Sequence, residues 1–210
     1  MSYVYLGRSL NMEDDLKGEL GRRRRRAGCA VFGSFREATD QVTDHELRAH
    51  LFNSTVFPAL CYAAETWADT ADTLKSLRTV HRALKRYLLR YNRRTQLQAG
   101  LRSSDLRRIS RIHDPAEYES KAKHRWAGHI MRREDDSWTR RTLEWIPRET
   151  KRPRGRPPTR WADVFAARMD QLNAQLDTSQ NSRQRRPRCS WMTMARERIE
   201  WKRCWSPHDK

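Results

Sequence analysis

The chain has 210 residues, of which 44 are lysine or arginine and 26 are aspartate or glutamate, giving a formal net charge of +18 at pH 7. That excess excludes a neutral catalytic surface and calls for a polyanionic partner, with the phosphate backbones of RNA or DNA as the first candidates. A 37% apolar content with eight tryptophans lies above the disordered range, and no apolar run approaches the ~20 residues of a membrane span, so no membrane partner is expected.

Residues 4–10 read as a short strand ending in a turn at Gly7, and the chain starts abruptly inside it, as a fragment would. Asn11 is a helix cap, with Glu13, Asp14 and Asp15 in the first turn, where the helix dipole favours anions. The helix runs toward Phe35 with Leu16 and Leu20 on one face. Its middle is Arg22, Arg23, Arg24, Arg25 and Arg26; being consecutive, they spread around the helix instead of forming a stripe, and Gly21 and Gly28 weaken it locally. Thr43 and Glu46 form a capping box for a helix over 44–64, with Leu47, Leu51, Val56 and Leu60 apolar and a kink at Pro58. Thr70 caps a helix over 71–91. Leu74, Leu77, Val80, Leu84, Tyr87 and Leu88 give it a 3.6-residue stripe, opposite Lys75, Arg78, Arg82, Lys85 and Arg86. Ser104 caps a short helix through Ile109.

Asp114-Pro115-Ala116-Glu117 combines an aspartate cap, a proline at the first helical position and a glutamate two residues on, a strong start for a helix to about Arg133 through Trp126 and Ile130. Ser137 caps another over 138–145. Thr159 starts a helix over 160–176, with Trp161, Val164, Phe165, Met169, Leu172 and Leu176 on one side. Residues 177–188 are polar and read as flexible. A last helix over 190–204 carries Trp191, Met194, Ile199 and Trp201. No internal repeat is visible. The fold class is mainly α: a helical bundle with a short N-terminal strand and a basic Pro/Arg linker to C-terminal helices.

That linker is the most informative stretch. Lys151-Arg152-Pro153-Arg154-Gly155-Arg156-Pro157-Pro158-Thr159-Arg160-Trp161 cannot be a helix or central strand, because each proline fixes φ, removes a donor and pushes its predecessor out of the helical region. An extended ribbon remains, with guanidinium groups on both sides of a glycine that lets the backbone approach a surface. It resembles the AT-hook core and suits a narrow minor groove or a single-stranded phosphate backbone; the alternative is a solvated basic linker.

Little else carries chemistry. Asp14-Asp15 and Asp135-Asp136 are adjacent carboxylate pairs, but a two-metal site needs convergent acids on rigid elements, and these read as a first-turn pair and a solvated loop pair. His45 and His50, or His124 and His129, are five apart and do not share a helix face. Cys29, Cys61, Cys189 and Cys204 contain no C-x-x-C pair and read as reduced, intracellular thiols. Cys189, Cys204 and His208 lack zinc-knuckle spacing and a fourth ligand. No phosphate-loop, dinucleotide or nucleophile-elbow motif is present. Neither catalytic residues nor a metal or cofactor site is expected. Trp126, Trp138, Trp145 and Trp161 lie among arginines and could stack on bases, but a core role is the favoured reading for each.

The order of motifs is recognisable as a whole. Tyr5-Leu6-Gly7, then Leu47-Arg48 through Leu60-Cys61-Tyr62-Ala63-Ala64-Glu65-Thr66-Trp67, then His124-Arg125-Trp126-Ala127-Gly128-His129-Ile130-Met131-Arg132 and Arg154-Gly155-Arg156-Pro157-Pro158-Thr159-Arg160-Trp161-Ala162-Asp163 resemble the region downstream of the catalytic core in non-LTR retrotransposon reverse transcriptases, closest to the RTE-like endonuclease–reverse transcriptases. The resemblance implies an end of palm over 1–11, a helical thumb over 12–146, the basic ribbon over 147–158, and C-terminal helices over 159–210 with a flexible polar break at 177–188. It implies a nuclear RNA-directed DNA polymerase with an endonuclease and magnesium in the parent protein, and a thumb that grips template–primer duplex. The family's aromatic-x-Asp-Asp motif does not occur in this sequence, so the chain alone is expected to be inactive. The residues expected on nucleic acid are Arg22, Arg23, Arg24, Arg25, Arg26, Arg82, Lys85, Arg86, Lys151, Arg152, Arg154, Gly155, Arg156 and Arg160. The rival expectations are an AT-hook chromatin protein and a non-functional relic.

Overall fold

In the computed structural model, residues 2–11, 17–30, 36–135, 138–145, 159–179 and 190–205 are described. They form a mainly α structure with a small antiparallel sheet at the N-terminus. The expected ribbon, with Lys151, Arg152, Arg154, Gly155 and Arg156, lies outside these residues, as do Asp14, Asp15 and Asp136. The chain divides into two units, Met1–Ser120 and Lys121–Lys210.

The first unit opens with a hairpin where a single strand is expected. β1 (Ser2–Tyr5) pairs with β2 (Arg8–Asn11), Tyr5 opposite Arg8. The two residues between them, Leu6 and Gly7, have φ of 46° and 80°. Two positive φ values are what a type I′ turn needs, and its twist matches that of the strands. The hairpin is tied to α1 (Lys17–Ala30). Glu19 accepts from the Ser9 backbone N–H at 2.6 Å and pairs with Arg23, whose other guanidinium nitrogen donates to the Gly7 carbonyl at 2.6 Å.

α2 (Arg36–Gln41) is a short helix within a stretch that carried no expected element. α3 (His45–Leu60) starts one residue later than expected: Asp44, not Thr43, is its cap, accepting from the Glu46 N–H. It ends at Leu60, two residues beyond Pro58 and four short of the expected end; Ala63 then takes a left-handed conformation before a 3₁₀ turn at Ala64–Thr66. α4 (Ala71–Leu88) is capped by Thr70 as expected. α5 (Arg93–Gln98) is unforeseen and is held by a capping box between Asn92 and Thr95. α6 (Ser103–Ser110) starts where the Asp105 carboxylate accepts from the Arg102 N–H. Phe52, Val56, Phe57 and Leu60 of α3 meet Leu77, Leu84 and Leu88 of α4, with Ala27, Trp67 and Ile112 completing the core. Cys61 is buried here, and burial, followed by the Glu119 and Asp114 carboxylates, pushes its thiol pKa far up.

α7 (Pro115–Met131) begins at the expected Asp114-Pro115 signal, with Asp114 accepting from the Ala116 N–H. In the second unit, its later turns join α8 (Trp138–Glu144), α9 (Asp163–Ser179), α10 (Trp191–Arg196) and α11 (Arg198–Trp205). α9 starts three residues later than expected, where Asp163 accepts from the Arg160 N–H, and runs to Ser179, so residues 177–179 are helical where a polar break is expected. The single expected C-terminal helix is two, parted at Glu197, whose backbone is extended. The core is aromatic: Phe165, Trp191 and Trp201 with Ala127, Met131, Met169 and Ala195, flanked by Trp161 and Trp205. Gly128 makes this possible. A Cβ there would lie 2.8 Å from the Trp201 ring, whose N–H donates to the His124 carbonyl at 2.9 Å. The His124 ring stacks on Trp201 and Trp205 at 4.1 and 4.8 Å.

Candidate nucleic-acid interface

The five arginines of α1 part company. Arg24, Arg25 and Arg26 are exposed and Arg22 is half-buried. Arg23 is 1% exposed, paired with Glu19, and its guanidinium lies 4.4 Å from the centre of the Tyr62 ring. It is a structural clasp and presents no charge to a partner. Tyr62 in turn donates to the Leu6 carbonyl at 2.9 Å, closing the clasp over the hairpin turn. The sequence signal is Glu19: an acid four residues before one arginine of the run selects it for a helix pair.

α4 carries the second group. Arg82 is exposed, Arg86 is half-buried, and Lys85 is 2% exposed, on the side of the helix that bears Leu77, His81, Leu84 and Leu88. Lys85 is thus not on the open polar face expected for it. Burial lowers its pKa, and the positive charges of Arg107 and Arg82 lower it further against the opposing pull of Asp114. Arg86 is lowered in the same way by burial and then by Arg93 and Arg82. Arg93 of α5 and Arg107 of α6 therefore lie close enough to the cations of α4 to oppose their charge. Arg107 reaches the Asp114 carboxylate only at 3.9 Å, and its side chain is 63% exposed. Like charges held together with so little neutralisation are what a polyanion relieves. Arg93 and Arg107 were absent from the sequence-derived set, because they join Arg82 only through the folding back of α5 and α6.

The second unit offers rings. Against the core reading, Trp138 and Trp145 are 78% and 69% exposed, and Trp126 is 37% exposed, stacked on His129 at 5.6 Å. The Arg141 guanidinium lies 5.4 Å from the Trp138 ring centre. An exposed indole beside a guanidinium gives a base both a stacking face and a phosphate contact. Trp161 packs with the core cluster, its ring 5.2 Å from Phe165. Arg160 is exposed just before α9.

Among the described residues no group of three His, Cys, Asp or Glu is placed to hold a metal ion, and no helix is long and apolar enough to cross a membrane. A transposon-derived protein of Caenorhabditis elegans is 36% identical to the chain over 199 residues, covering 95% of this chain and 68% of that protein. No protein-family model and no solved structure matches.

Proposed function

The chain belongs to a family of transposon-derived proteins, and on that premise we propose that it is the nucleic-acid-holding C-terminal region of an RTE-like non-LTR retrotransposon reverse transcriptase, acting in the nucleus on RNA and DNA. The observation that carries this reading is the set of exposed or half-buried arginines, Arg82, Arg86, Arg93 and Arg107, gathered around α4. Bound phosphates would neutralise these cations and release condensed counterions. The helices fix the register on a backbone, while Trp138 and Trp145 supply sequence-tolerant stacking. The basic ribbon around Arg154 and Arg156 adds contacts of the same kind. Polymerisation, with its magnesium, belongs to the rest of the parent protein.

The test is binding of the full chain to a template–primer duplex across a salt series. Affinity should fall steeply with salt, and Arg82→Gln/Arg107→Gln should shallow the slope by roughly 1.4–1.8, about 0.7–0.9 for each lost phosphate contact. The same double variant should melt no lower than the wild type, because it relieves repulsion. A flat salt response, or a slope unchanged in the variant, sinks the proposal.

A further inference from the structure

In the first unit a cleft of about 370 Å³ opens between α2, α3 and the chain just after α4. Its walls include Arg36, Asp40, Arg48, Tyr87, Arg90 and Tyr91. Three guanidinium groups face one carboxylate. Asp40 sits between two of them, 3.2 Å from Arg90 and 3.8 Å from Arg36. The third is different: Arg48 is 7% exposed, and its Nε is buried with no hydrogen-bond partner among the described residues. Burial and then the Arg90 charge lower its pKa, with Asp40 and Tyr87 opposing. An arginine stays protonated in a protein, so this charge has to share Asp40 with Arg36 and Arg90. A guanidinium held in so little water is costly, and an anion in the cleft would offset its charge.

We propose that this cleft binds a phosphate monoester, with Arg48 as its principal donor. The charge balance matches: three cations against one acid leave two positive charges, and a monoester carries about −1.5 to −2 at neutral pH. The guanidinium fork suits phosphate oxygens. The volume lies within the range of small-ligand sites, and Tyr87 and Tyr91 give a base or sugar apolar surface to lie on. A terminal monoester carries the second negative charge that an internal diester lacks, so a cleft with two excess positive charges favours a strand end over a backbone running past. The natural source is then the 5′-phosphorylated end of a nucleic-acid strand, an identification that rests on the nucleic-acid reading; a free nucleotide shares the same chemistry.

Two arms separate these sources. In the first, single strands of one sequence, with a 5′-phosphate or a 5′-hydroxyl and a 3′ fluorophore, are titrated with the full chain. The phosphorylated strand should bind about tenfold tighter. Arg48→Met, which keeps the packed stem, should abolish that preference without weakening the hydroxyl strand. Arg36→Ala, at a site whose side chain is 63% exposed, should reduce the preference severalfold with the melting temperature unchanged, and decides the matter should Arg48→Met fold poorly. In the second arm, a nucleoside 5′-monophosphate should raise the melting temperature of the wild type and not of Arg48→Met. A preference in the first arm lost in the variants establishes the strand end. Protection in the second arm alone establishes a free-nucleotide site. No preference and no protection, or a preference undiminished in both variants, overturns the proposal. Failure of both strands to bind at all overturns the nucleic-acid reading instead, and the second arm still judges the cleft.

Discussion

The two units solve the same problem, a charged chain short of apolar residues, by different means. The first builds its core from aliphatic side chains and rings together, Phe52, Phe57 and Leu60 of α3 and Leu77 and Leu84 of α4 with Trp67 and Ile112 from the connecting segments. It fixes its hairpin with a buried ion pair, Glu19 to Arg23. The second gathers its helices around a few large rings: Phe165 lies 5.0 Å from Trp191 and 5.6 Å from Trp201. A buried aromatic side chain removes 150–250 Å² from water, so a handful can replace a whole stripe of leucines. The difference teaches where each unit is vulnerable. Loss in the first is spread over many contacts; loss in the second is concentrated in single rings.

The largest expected effect breaks the second unit. Trp201→Ala removes a side chain that touches Phe165, Trp191, Trp205 and His124, and should cost about 3–5 kcal/mol. Hydrogen exchange should show amides of 121–205 opening while those of α3 and α4 keep their protection; equal loss in both units would refute the separation of the cores. Next is the clasp of the first unit. Glu19→Gln leaves the Arg23 charge buried without its partner and should cost about 3 kcal/mol by chemical denaturation, whereas Glu19→Leu with Arg23→Met should recover much of it. If the double variant is as unstable as the single one, the pair is not what holds the hairpin.

A smaller effect spans both units. Burial lowers His81 in the first and His124 in the second to a pKa of about 4, from an ordinary 6.5. Each is neutral when folded, so below pH 6.5 the unfolded chain takes up the proton first. The associated stability is complete above that pH and is lost as pH falls toward 4, on the order of 1–2 kcal/mol per histidine. Melting temperatures of His124→Phe against wild type should converge or cross as pH drops from 7 to 4.5; a difference independent of pH would remove the protonation account. The smallest effect concerns binding alone. Trp138→Ala should weaken single-strand affinity by about 1 kcal/mol with no change in melting, while a change in melting without one in affinity would return Trp138 to a packing role.

Much of this was legible where one local rule spoke clearly. The stripe of α4, its Thr70 cap and the Asp114-Pro115 start of α7 all follow from the residue order, and the mainly helical class follows from them. α5 was not legible: Arg93-Arg94-Thr95-Gln96 has no apolar stripe, and its capping box uses Thr95 where glutamate or glutamine is the usual signal. The break at Glu197 has neither glycine nor proline to announce it. At the candidate interface, charge composition motivates the proposed class of partner, but which cations face solvent depends on tertiary neighbours. Arg23 and Lys85 turn inward, whereas Arg93 and Arg107 arrive from separate helices. Arg48, the centre of the phosphate cleft, sits among the residues of a helix face that periodicity alone assigns to packing.

The burial of Cys61 has a practical consequence. Its thiol is shielded in the core of the first unit, whereas Cys204 is half-buried beside the aromatic core of the second. A thiolate forms slowly where burial opposes the charge, so alkylation of Cys61 waits for the surrounding helices to part. With Cys29, Cys189 and Cys204 changed to serine, the molecule would carry a single chemical clock, set in the core of its first unit. Its labelling rate, followed by mass, would time the opening of that core with no dye added.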